Sequence, residues 1–60
     1  MNTEIDEMIM DGFDITITWD CEYRMFVARA TNVLYGSTYE VYGHTAEDAI
    51  NTLYERVNEG

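Results

Sequence analysis

From Phe13 to Asp20 apolar and polar residues alternate without a break: Phe13, Ile15, Ile17 and Trp19 against Asp14, Thr16, Thr18 and Asp20. Period two is the signature of a strand with one buried face. It sets the four apolar residues toward a core and sends Asp14, Thr16, Thr18 and Asp20 to the opposite face. Asp20-Cys21-Glu22-Tyr23 supplies turn-compatible residues, and the strand pattern resumes over residues 24–31, so the two runs make a β-hairpin. Phe26, Ala28 and Ala30 share one face of this second strand and Met25, Val27 and Arg29 the other. The first set is the expected core face, because small alanines let a helix approach. Residues 32–36 read as a loop in which Gly36 can take a positive φ angle. A third strand is expected over residues 37–42, with Tyr39 and Val41 alternating with Thr38, Glu40 and Tyr42, and Gly43 ends it.

The period then changes. Thr45 can cap the amide of Asp48 at the start of a helix, and Glu47 and Asp48 complement the positive helix end. Ala46, Ala49, Ile50, Leu53 and Val57 form its apolar stripe, leaving Glu47, Asn51, Thr52, Glu55 and Arg56 to water, with Gly60 as the stop. Ahead of the sheet, Ile5, Met8 and Ile9 fall at i, i+3, i+4 between a potential cap at Thr3 and a stop at Gly12, which gives one or two helical turns or a frayed tail. The expected fold is therefore α+β: a three-stranded antiparallel sheet with one C-terminal helix packed on one face, β-β-β-α, as a single domain over 13–60 after an N-terminal extension over 1–12.

Sixty residues set the scale of the core. A chain this short buries only about 60% of the surface that its unfolded form exposes. One cysteine, Cys21, excludes an intramolecular disulfide and, with no secretory leader recognisable, suggests a reducing, cytoplasmic setting. No apolar run is long enough to span a bilayer.

Charge narrows the function classes most. Twelve carboxylates face three arginines, with no lysine, for a formal net charge of −9. Such an excess repels nucleic acid and anionic membranes, whose affinity for proteins depends on Lys and Arg. It attracts basic surfaces and accelerates encounter with them. Acidity also serves simple solubility, and composition alone leaves both roles open.

Catalytic chemistry finds little support. Cys21 and His44 lack a third orienting group, and Asp20 and Glu22 beside the thiol disfavour its thiolate. The carboxylates lack the loop spacing of a calcium site, and one Cys with one His is too few for zinc. No enzyme activity, cofactor or metal is expected. The candidate partner-binding residues are instead Asp14 and Asp20, extended by Glu40 and Glu22, with Glu47, Asp48 and Glu55 adding charge on the helix. Residues two apart on a strand are about 6.6 Å apart, near the spacing of phosphates along one nucleic-acid strand. Tyr35 and Tyr42 are candidate contact residues, since tyrosine suits an interface that is apolar at one end and wet at the other. A small core with exposed strand edges is also compatible with a homodimer.

The run Gly43-His44-Thr45-Ala46-Glu47-Asp48-Ala49-Ile50, preceded by the Phe26-Val27-Ala28-Arg29-Ala30 strand, resembles the glycine, threonine, acid and alanine pattern of HicB-like antitoxins over roughly residues 15–57. That resemblance implies a partial double-stranded-RNA-binding or RNase-H-like fold and a small, basic RNase toxin as partner. The chain lacks the proline-rich turn usual between the second and third strands, and no DNA-binding domain is expected after the helix. In length, acidity and want of a catalytic signature it also resembles small phage anti-CRISPR inhibitors, several of which act as DNA mimics. The functional expectation is a small acidic inhibitor of a basic nucleic-acid-binding effector, an anti-CRISPR acting by DNA mimicry; the alternative is a truncated HicB-like antitoxin neutralising a small basic RNase toxin, and the third reading an accessory or dimerisation domain.

Overall fold

The computed structural model describes residues 3–59. They form α1 (Thr3–Met10), β1 (Phe13–Asp20), β2 (Met25–Asn32), β3 (Thr38–Gly43) and α2 (Ala46–Glu59). The three strands make one antiparallel sheet in the order β1-β2-β3, with Ile17 opposite Ala28 and Ala28 opposite Val41 at its centre. Both helices lie on one face, α2 over β3 and β2, α1 over β1 and against α2. This is the expected α+β architecture, with the N-terminal turns realised as a helix. The proposed stop at Gly60 lies outside the described residues.

The core follows from the alternation. Ala28, Ala30 and Val41 from the sheet meet Ala49, Ile50 and Leu53 from α2, and Phe13, Ile15, Ile17, Phe26, Tyr39 and Val57 pack around them partly buried. Met8 of α1 completes the cluster and, with Leu53, is one of the two largest fully buried side chains. Thr45 Oγ1 accepts the Asp48 amide at 3.0 Å, the cap that its position predicts. Gly36 takes φ 75° and Gly12 φ 95°, conformations that side-chain-bearing residues rarely adopt.

Three departures have physical causes. The second strand starts at Met25 because Arg24 sits in the left-handed region at φ 57°, which closes the hairpin turn. The third strand runs through Gly43, which pairs with Phe26. Trp19 points to the helical face as expected but remains 52% exposed, its ring edge-on against Phe26 at 4.9 Å. Among the described residues no helix is long and apolar enough to cross a membrane.

Candidate functional site

The register sets the open face of the sheet in rows. Asp14, Thr31 and Thr38 line up at one end, then Thr16, Arg29 and Glu40, then Thr18, Val27 and Tyr42, and finally Asp20 beside Met25. Asp14, Asp20, Glu40 and Tyr42 thus share one face, with Glu22 in the turn at its end. Two of these carboxylates are engaged within the fold. Glu40 Oε2 accepts from Arg29, from Nε at 3.1 Å and from Nη2, so an ion pair cancels its charge across the strands. Asp20 Oδ1 accepts the amides of Glu22 at 2.9 Å and Tyr23 at 3.1 Å, the Asx arrangement that shapes a turn.

Tyr42 caps the apolar end of this face. Its ring meets Tyr23 edge-on at 5.8 Å, and Val27 beneath is buried although it points away from the helices. Desolvation is the main cause that lifts the Tyr42 hydroxyl above its ordinary value of 10.0, with Glu40 and Asp20 adding to it and Arg29 opposing. The open face is therefore a mixed surface of threonines, one ion pair and an aromatic corner rather than a row of free carboxylates.

The acidity lies mostly on the other side. Glu4, Asp6 and Glu7 on α1, Asp11 after it, and Glu47, Asp48, Glu55 and Glu59 on α2 face a single cation, Arg56. That leaves the helical layer seven charges negative. The sheet and its turns hold Asp14, Asp20, Glu22 and Glu40 against Arg24 and Arg29, only two negative. Glu47 and Asp48 thus sit at the head of α2, apart from the sheet-face candidates, and Tyr35 projects from the β2–β3 loop.

The acids of α1 are absent from the candidate contact residues, although its helical turns are expected from the spacing of Ile5, Met8 and Ile9. The signal was present in the spacing of Glu4 and Glu7, three apart and hence neighbours on one helical face. The two helices are tied where Tyr54 on α2 donates its hydroxyl to Glu7 Oε2 at 2.5 Å. Cys21 is exposed in the β1–β2 turn and His44 is exposed between β3 and α2. No family model, curated protein or solved structure matches the chain.

The Tyr54–Glu7 contact has a pH signature. Its hydrogen bond to Glu7 is the main reason the Tyr54 hydroxyl is held above 10.0, a bond with Asn58 pulling the other way. A tyrosine whose folded value is raised stabilises the fold in its protonated form; that contribution is whole below about pH 10 and is lost as pH rises through the raised value. No lysine titrates in this range. The thermal midpoint of the wild type should therefore fall from about pH 10 upward, and Tyr54→Phe should show a shallower fall. Parallel curves would mean that the hydroxyl does not bridge the helices in solution.

Proposed function

We propose that this chain is an acidic inhibitor protein that occupies the nucleic-acid-binding surface of a basic partner, with its helical layer standing in for a phosphate backbone. The observation that carries the reading is the partition of charge: seven excess negative charges on one layer of a molecule 31 × 24 × 18 Å in extent, and two on the rest. Side chains three or four apart on a helix lie about 5–6 Å from one another. Glu55 and Glu59 on α2 therefore repeat at an interval that arginines arranged to grip phosphates can follow, while Glu7 on α1 also accepts the Tyr54 hydroxyl. A DNA-handling CRISPR effector is the partner that size and acidity favour. The HicB-like alternative, a small basic ribonuclease, draws support from the β3–α2 junction, where Thr45 caps the helix and Gly43 admits it closely to the sheet.

The test takes the layer from seven negative charges to three without shortening any side chain: Asp6→Asn, Glu47→Gln, Glu55→Gln and Glu59→Gln together, all at exposed positions. Against a purified guide-loaded CRISPR effector, and separately against a basic ribonuclease toxin, association should slow at least about tenfold and lose much of its salt dependence, since steering accelerates encounter by 10–10³. Asp14→Asn with Glu40→Gln should change the rate by less than about threefold, because only two charges change and Glu40 is already paired. Undiminished association of the fourfold variant across a salt series, or duplex DNA bound alongside the wild type, would refute the reading.

A further inference from the structure

The β2–β3 loop carries three consecutive apolar side chains, Val33, Leu34 and Tyr35, that are 60%, 83% and 82% exposed. Hairpin loops ordinarily take polar or turn-forming residues at such positions. This loop is also fixed. Asn32 Oδ1 accepts the amides of Leu34 at 2.9 Å and Tyr35 at 3.0 Å. The Gly36 amide donates to the Asn32 carbonyl at 2.8 Å and the Asn32 amide to Ser37 at 2.8 Å, while the Val33 amide reaches the Gly12 carbonyl at 3.0 Å. That last bond holds the loop against the α1–β1 turn, two residues beyond Met10, which is 84% exposed. Asp11 lies in the same turn, and Asp14 pairs with Thr31 at the loop end of the sheet.

An apolar tip held rigid and flanked by acids has the anatomy of an interface centre: a few well-placed anchors inside a polar rim. Its order before binding lowers the entropy lost on docking. Charge chooses between occupants. A second copy would bring Asp11 and Asp14 toward their own counterparts on a chain that also carries −9, whereas a basic partner pairs with them.

We propose that Leu34 and Tyr35 are the anchor that this chain inserts into an apolar pocket, rimmed by Lys or Arg, on the basic protein it binds. The proposal rests on the acidic-inhibitor reading for the sign of the partner's charge, and it divides the work: carboxylates set how fast the complex forms, the tip sets how long it lasts.

The test places benzoylphenylalanine at Leu34 in the full chain, with the same group at Thr52 on α2 for comparison, and irradiates each in the heparin-binding protein fraction of the source cell. The protein crosslinked from position 34 is identified, purified and titrated with wild type and with Leu34→Ser/Tyr35→Ser. The expected results are a crosslink into an apolar pocket bordered by basic residues, and dissociation of the double variant at least about 30-fold faster with association and salt dependence unchanged. The variant's thermal midpoint should match wild type, since both side chains are exposed. Dissociation as slow as wild type, no crosslink, a crosslink into a polar surface, or a wild-type dimer that the double variant dissolves would each overturn the anchor. If the fourfold carboxylate variant associates normally while the double variant dissociates fast, the charge reading fails and the anchor stands.

Discussion

Gly43→Ala is expected to remove most of the stability of this fold. A methyl group built on Gly43 would lie 2.4 Å from the backbone nitrogen of Ala49, 2.8 Å from its Cα and 3.0 Å from the carbonyl carbon of Asp48. All three are main-chain atoms of the first turn of α2, so no side-chain rotation relieves the overlap. The helix must move away from β3, and with it Ala49, Ile50 and Leu53, which fill the core. Overpacking in a core costs about 1–3 kcal/mol and occasionally more. A domain of this size has roughly 3–5 kcal/mol from its core to lose. The thermal midpoint should fall by more than about 10 °C, or the cooperative transition should vanish, given the roughly 4–8 °C per kcal/mol of small domains. Gly36→Ala makes the comparison: its added methyl group meets nothing within 4 Å, so only the positive φ opposes it and the loss should be smaller. A Gly43→Ala melt that overlays wild type would mean that α2 lies farther from the end of β3 in solution.

The same glycine shows where reading the sequence stops. Next to Tyr42 and His44 it reads as a strand terminator, but its role is clearance between two elements, which no local pattern expresses. The regular parts were legible because they depend on periodicity: the alternation from Phe13 fixed β1, and the change of period after Thr45 fixed α2 together with its cap. The Arg29–Glu40 ion pair was not legible. It follows from the register, which sets Arg29 opposite Glu40 only because Phe26 pairs with Gly43. Net charge was legible as a total and not as a location. Alternation does send Asp14 and Asp20 to the open face. Folding then ties Asp20 into the turn and neutralises Glu40, while the helices gather eight of the twelve carboxylates on or beside them. The contact tyrosines divide in the same way, Tyr42 packing against Tyr23 and Tyr35 standing free at the other end of the molecule.

Met8→Ala is expected to destabilise the protein as severely as Leu53→Ala, about 2–5 kcal/mol each, the range for truncating buried Leu, Ile or Met. The expectation for Leu53 follows from the stripe of α2, but Met8 belongs to an eight-residue helix that would be marginal by itself. What holds α1 is tertiary: Met8 is inserted with only 1% of its surface exposed, and Glu7 accepts the Tyr54 hydroxyl. Shortening Met8 should therefore unfold the whole chain in one transition rather than release α1 alone. Met8→Leu, which nearly conserves volume, should cost less than about 1.5 kcal/mol. Ile9→Ala, on the same helix but half exposed, should stay within about 1 kcal/mol. Far-ultraviolet circular dichroism during urea titration reads all four variants. A Met8→Ala curve coincident with wild type, beside a Leu53→Ala variant that is unfolded, would show that α1 lies outside the cooperative unit. The proposed function depends on the same point. Glu4, Asp6 and Glu7 enter the acidic layer only while α1 is docked beside α2, so under conditions where Met8→Ala is partly unfolded its association with a basic partner should slow in step with the folded fraction. An unaffected rate in that state would place the attracting charge on α2 and the sheet instead.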